Sequence, residues 1–235
     1  MNRFAALIDR LAYEPRRNAK LRLMTDYFRD TPDPERGWAL AALTGALSFR
    51  HAKPGLIRGL IQERADPVLF ALSYDYVGDL AETVALMWPA EPSVGNAPQL
   101  SDVVAGLQET TKADLPQRLA RWLDTLDEAG RWALLKLITG QMRIGASARL
   151  AKTAVARLGT LDPDEIELAW HGLAAPYLDL FAWAEGIGAK PDSVNPAPFH
   201  PPMLSHPLDD VTNWRETLLP SEYSAEWKWD GIRVQ

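Results

Sequence analysis

The sequence predicts an all-α domain over residues 1–187, a proline-rich linker over 188–204 and the opening of a second, β-containing domain over 205–235. Three observations carry this. Apolar residues recur every three or four positions through the first 185 residues, with no convincing alternation before about residue 220. Two segments of the helical region resemble each other, which predicts two related helical halves. Proline is then concentrated in one short stretch, after which the apolar period changes from helical to two.

Phe4, Leu7, Ile8 and Leu11 mark the first helix, and Leu21, Leu23, Met24, Tyr27 and Phe28 the second. DTPDPERGW interrupts them, with Asp33 a candidate N-cap and Pro34 in the first helical position. An Ala-rich helix follows over Trp38–Leu47. Further helices are predicted over 56–64, 67–72, 76–88, 101–108, 114–127, 129–139, 147–158, 163–172 and 175–186. Asp162–Pro163 repeats the cap-then-proline start. GAKPDSVNPAPFHPPML, residues 188–204, holds prolines at 191, 196, 198, 201 and 202, a density that ends helices and favours an extended tether. In SAEWKWDGIRVQ, Ala225, Trp227 and Trp229 then alternate with Glu226, Lys228 and Asp230, the pattern of a strand.

The internal repeat pairs GWALAALTG, Gly37–Gly45, with RWALLKLITG, Arg131–Gly140. Basic residues follow each copy: Arg50, His51, Lys53 and Arg58 after the first, Arg143, Arg149, Lys152 and Arg157 after the second. The net charge is −6, but it is unevenly spread. Residues 1–60 carry 11 Lys and Arg against 6 Asp and Glu, and residues 131–160 carry 6 against none. The stretches 61–130 and 161–235 carry 4 against 12 and 4 against 13. A polyanion responds to such local fields rather than to the average. The chain lacks cysteine, which excludes disulfides and thiolate zinc sites. It has no secretory signal pattern and no apolar run long enough to span a bilayer, so the expected setting is cytoplasmic. The four histidines show no metal-ligand spacing, and the tryptophans sit mostly at core positions of helices.

The densest chemistry lies in EWKWDGIRVQ, Glu226–Gln235. A lysine becomes a nucleophile when desolvation or a neighbouring cation strips its proton, and a strand would fix the direction of Lys228. Asp230 could orient it or a metal-bound water. Gly231 permits close backbone approach, and Arg233 offers a cation to a ribose or phosphate oxygen. This set suits attack on phosphorus.

Glu226, Lys228, Asp230, Gly231 and Arg233 spell E-x-K-x-D-G-x-R, which resembles the adenylation motif of ATP-dependent DNA ligases. Pro202-Met203-Leu204 resembles the lead-in to that family's nucleotidyltransferase domain. VGDLAET, Val77–Thr83, and TGQMRIGAS, Thr139–Ser147, resemble segments of its helical DNA-binding domain, an all-α, pseudo-twofold structure. The resemblance thus covers nearly the whole chain. It implies that Lys228 attacks the α-phosphorus of ATP with Mg2+ assistance, releasing pyrophosphate. AMP then passes to the 5′-phosphate of a nick, and the 3′-hydroxyl displaces it. Glu226 would contact the adenosine. Later family motifs and the C-terminal OB domain are absent from these 235 residues, so the chain alone is expected to be inactive and to bind neither ATP nor Mg2+. It is expected to act as a monomer on nicked double-stranded DNA, with no membrane partner, in repair, replication or recombination.

A nick sealer must accept any sequence, so its contacts belong on phosphates. In the second loop the expected DNA contacts are Gly140, Gln141, Arg143, Gly145 and Ser147, the last as helix N-cap, with Arg149 and Lys152 behind them. In the first loop they are Gly45, Arg50 and Lys53, with His51 beside them. Two other readings share these features: a non-catalytic α-helical DNA-binding or scaffold module, and a nucleotidyltransferase of the RNA-ligase or capping type.

Overall fold

Twelve helices, and no strand, are found among the residues that the computed structural model describes: 1–89, 96–140, 142–191, 218–219, 221–224 and 226–227. They are α1 (Asn2–Tyr13), α2 (Arg17–Asp30), α3 (Glu35–Leu43), α4 (Pro54–Gln62), α5 (Pro67–Val77), α6 (Leu80–Met87), α7 (Leu100–Glu109), α8 (Leu115–Thr125), α9 (Glu128–Thr139), α10 (Ala148–Ala156), α11 (Pro163–Trp170) and α12 (Leu178–Ala184). The described residues are all-α, as the apolar period predicts. Most of the proposed linker and of the strand lies outside them. Within that strand, Ser224, Glu226 and Trp227 are described, and none of them is in a strand.

Several helices begin where their sequence says. Asp66 accepts from the amides of Val68 (2.9 Å) and Leu69 (2.8 Å) ahead of Pro67. Asp162 accepts from Asp164 N (2.8 Å), while Glu165 reaches back to Asp162 N at 3.1 Å. Each cap satisfies amides that the first helical turn leaves open.

Four expectations about three helices need correction. Asp33 does not cap α3: Pro34 is the N-cap residue, and the Asp33 carboxylate is drawn to the guanidinium of Arg36 at 2.9 Å. The helix expected over Trp38–Leu47 stops at Leu43, because Gly45 turns left-handed (φ +72°). The single helix expected over 76–88 is two, because Gly78 adopts φ +72° and Asp79 caps a new helix through Glu82 N (3.0 Å). The helix expected from 175 begins at Leu178, after Tyr177 turns left-handed at φ 59°.

The core is continuous through both ends of the bundle. Phe4, Ile8 and Leu11 of α1, Leu21, Met24 and Phe28 of α2, Ile57 and Ile61 of α4, Val103 and Leu107 of α7, Leu119 and Leu123 of α8 and Phe181 of α12 are all essentially excluded from solvent. Helix α9 packs on α1, α4, α6 and α8, and α10 on α2, α3, α11 and α12. Most of these pairings recur under a shift of six helices. α1 lies on α9 as α7 lies on α3, and α2 lies on α10 as α8 lies on α4. α3 meets α10 as α9 meets α4, and α4 meets α6 as α10 meets α12. The repeated Trp-Ala-Leu segments are α3 and α9 in this scheme, and the two Asp-Pro starts are α5 and α11. The extensive α6–α9 contact is not matched to the same extent between α12 and α3.

Candidate nucleic-acid interface

The turn between α9 and α10 is built from two left-handed glycines flanking a left-handed arginine. Gly140 (φ +67°) ends α9, with its amide donating to Lys136 O at 3.1 Å. Arg143 follows at φ 46° and Gly145 at φ +65°. Ser147 then caps α10 as expected, its hydroxyl accepting from Leu150 N at 3.1 Å. Gly140, Arg143, Gly145 and Ser147 are exposed, and Gln141 lies outside the described residues. Left-handed backbone is unfavourable for a residue with a Cβ, so Arg143 must be held there by its surroundings.

Lys20 is a principal support. It is buried on α2, and its Nζ donates to Ile144 O at 2.9 Å across 124 residues of sequence. A Cβ on Gly145 would come within 2.3 Å of that Nζ. Ile144 is buried between these two exposed neighbours. The loop is therefore pinned from below by an ammonium and an isoleucine, with Arg143 on its outer side. Substituting Gly145→Ala is expected to cost roughly 1–3 kcal/mol through the positive φ and the Lys20 clash. A urea-unfolding curve checks this: an unchanged midpoint would mean that the loop is not held as described.

The arginine and the lysine placed behind this loop divide. Arg149 is exposed and already faces Asp164, with Nη2 to Oδ1 at 3.1 Å. Lys152 corrects the expectation. It is 8% exposed, its Nζ donates to Glu167 Oε2 at 2.7 Å, and the same ammonium lies 4.4 Å from the ring centroid of Trp170. It ties α10 to α11 and has no charge left for a phosphate. Lys152→Met is expected to lower stability by about 2–4 kcal/mol, since it strands Glu167. On the expectation that the chain binds DNA, the folded fraction should bind as the parent does in filter binding at matched folded concentration; weaker binding would place Lys152 on the DNA surface.

The same division runs through the whole basic stretch 131–160. Arg131 is buried, with Nε donating to Leu123 O (2.7 Å) and Nη1 to Trp88 O (3.3 Å). Lys136 is buried against Asp79 at 2.6 Å. Of the six cations, Arg143, Arg149 and Arg157 are exposed, and Arg149 is shared with Asp164. Charge counted along the chain thus overstates the charge that a ligand meets. Lys20 was missed as a functional support. The signal was present, because Lys20, Met24 and Phe28 share one helical stripe.

Burial opposes ionisation of Asp79, but hydrogen bonds from Lys136 Nζ and Glu82 N outweigh it and hold its carboxyl below the usual carboxylate range. A depressed native pKa stabilises the fold above the unfolded value, about pH 4, and the contribution is lost as pH falls through the native value. Asp79→Asn is therefore expected to flatten the acid limb of a stability-versus-pH curve below about pH 4. An acid limb identical to that of the parent protein would exclude Asp79 as its source.

In the first loop, between α3 and α4, Gly45, Arg50 and Lys53 are exposed and His51 is half-buried. Lys53 is the N-cap residue of α4, ahead of Pro54. Arg58 lies over Tyr74, 5.6 Å from its ring centroid. Of the five positions in the C-terminal motif, Glu226 is described and exposed, while Lys228, Asp230, Gly231 and Arg233 lie outside the described residues. No cluster of metal-ligating side chains is found among the described residues, and no described helix is long and apolar enough to cross a membrane. Compared with models of known protein families and with curated proteins, the chain gives no match.

Proposed function

We propose that this chain is the N-terminal part of an ATP-dependent DNA ligase, and that its helical region grips nicked duplex DNA through the phosphate backbone without reading sequence. The observation that carries the reading is the α9–α10 turn. An exposed Arg143, with no ion pair among the described residues, stands between two left-handed glycines, ahead of a serine-capped helix N-terminus. Turns of this kind aim backbone amides outward and combine them with a fixed cation, a combination suited to phosphate oxygens and indifferent to base identity. The second support is the sequence Glu226-x-Lys228-x-Asp230-Gly231-x-Arg233.

In this reading Lys228 supplies the nucleophilic nitrogen, Asp230 orients it, and Glu226, Gly231 and Arg233 face the nucleotide. ATP supplies the adenylyl group and Mg2+ offsets charge on its phosphates. The two helical halves, with α3–α4 and α9–α10 as equivalent turns, would offer two phosphate-binding loops from one body. Binding to a fluorescent nicked duplex, measured from low to physiological salt, tests the DNA part. The expected result is a steep linear fall of log affinity with log salt, because each neutralised phosphate releases about one counterion. Salt-independent binding, or none, would overturn it. The catalytic part is tested in protein carrying the complete catalytic domain: transfer of labelled AMP from ATP to the polypeptide should be abolished by Lys228→Ala.

A further inference from the structure

On the side of α9 that faces α1 and α6, the structure holds a groove of about 600 Å³ whose lining, apart from Arg143 at its edge, the DNA-binding reading does not use. Its apolar lining is Tyr13 of α1, Ala85 and Leu86 of α6, and Trp132 of α9. Tyr13 is 82% exposed and Leu86 55% exposed, on two helices that each pack on α9. Its acidic lining is Asp9, Glu82, Asp127 and Glu128. All four are exposed, and none forms an ion pair among the described residues. Two cations also border the groove. Lys136 is consumed by Asp79, and its Nζ lies 5.6 Å from the Trp132 ring centroid. Arg143 belongs to the loop at the groove's edge.

Asp127 also accepts from Gly130 N at 2.8 Å as the N-cap of α9. An apolar floor rimmed by exposed carboxylates outside any ion pair among the described residues fits one kind of occupant. A nucleic acid is repelled by the rim, and a purely apolar segment would strand the carboxylates away from water. We propose that this groove docks a basic segment of a partner protein, one that places a leucine or aromatic side chain against Tyr13, Leu86 and Trp132 and sets lysines or arginines opposite Glu82 and Glu128. The charge match governs encounter and register, and the apolar anchor supplies most of the affinity. Because the groove shares its edge with Arg143, such a partner would sit beside bound DNA rather than on top of it.

The test is fluorescence anisotropy on the full chain, with a labelled peptide that carries leucines flanked by lysine and arginine, and a matched peptide in which glutamate replaces the cations. The expected result is saturable binding of the basic peptide alone. It should weaken by roughly tenfold in Glu82→Lys/Glu128→Lys, from the loss and reversal of two charge contacts, and at least as much in Trp132→Ala. Circular dichroism establishes that each variant is folded; if Trp132→Ala is not, Leu86→Ser at the exposed position replaces it. Equal binding of both peptides, or binding unchanged by the charge reversals, would overturn the proposal. So would sedimentation showing that a second copy of the chain fills the groove.

Discussion

Reversing the charge of Arg143 (Arg143→Glu) is expected to weaken binding to nicked duplex DNA by roughly tenfold to thirtyfold and to lower the salt slope by about one. The side chain is exposed and unpaired among the described residues, and its left-handed backbone at φ 46° turns the Cα–Cβ bond to the outer side of the loop. A charge-assisted contact to phosphate outweighs the side-chain ordering that it requires, and charge reversal replaces it with repulsion. The control is Arg121→Glu, which changes net charge equally at an exposed position of α8. Arg118 is a poorer control, because it donates to Thr110 Oγ1 at 3.0 Å and lies 5.1 Å from the Trp122 ring centroid. Electrophoretic mobility shifts at two salt concentrations separate the outcomes. Equal weakening in both variants would mean that DNA senses only the net charge of the chain.

The largest expected loss of stability outside the apolar core comes from Arg36. Its guanidinium donates to both oxygens of Asp33 at 2.9 Å, to both oxygens of Glu185 and to Phe28 O at 3.3 Å, and lies 4.4 Å from the Phe181 ring centroid. Burial disfavours its charge, but the Asp33 and Glu185 carboxylates win and raise its pKa above the ordinary arginine value. Arg36→Ala leaves two carboxylates facing each other across the contact between α3 and the end of α12. The expected cost is about 3–5 kcal/mol, or roughly 6–20 °C in Tm for a domain of this size. Arg36→Lys should recover only part of it, because one ammonium cannot replace a planar fork with five donors. Thermal unfolding followed by circular dichroism measures both. A Tm within a degree of the parent's in Arg36→Ala would show that the α3–α12 contact carries little of the fold's stability.

These two arginines look alike in the sequence. Both lie in or beside a repeated Trp-Ala-Leu segment, and both belong to a stretch rich in cations. Local physics could not separate them: the partner that buries Arg36 is Glu185, which is 149 residues away. Lys152 and Lys136 carry the same lesson, since Glu167 and Asp79 decide that they are struts rather than ligands for phosphate. The Tyr13–Trp132 groove was illegible for a similar reason, because α1, α6 and α9 meet only once the chain has folded.

What the sequence determined by itself was set within one or two helical turns, although the breaks at Gly45 and Gly78 are equally local and the apolar spacing reads through them as helix. The all-α class follows from apolar spacing, and the starts of α5, α10 and α11 follow from Asp66, Ser147 and Asp162, whose side chains reach amides two or three residues on. The repeat and the glycine-flanked Arg143 were visible in the same way. Tertiary structure alone decided which cations keep their charge exposed and that Lys20 fixes the loop presenting Arg143. The physical reason is range. Capping and periodicity are satisfied by neighbours in the chain, whereas burial and ion pairing depend on which distant surface arrives to exclude water.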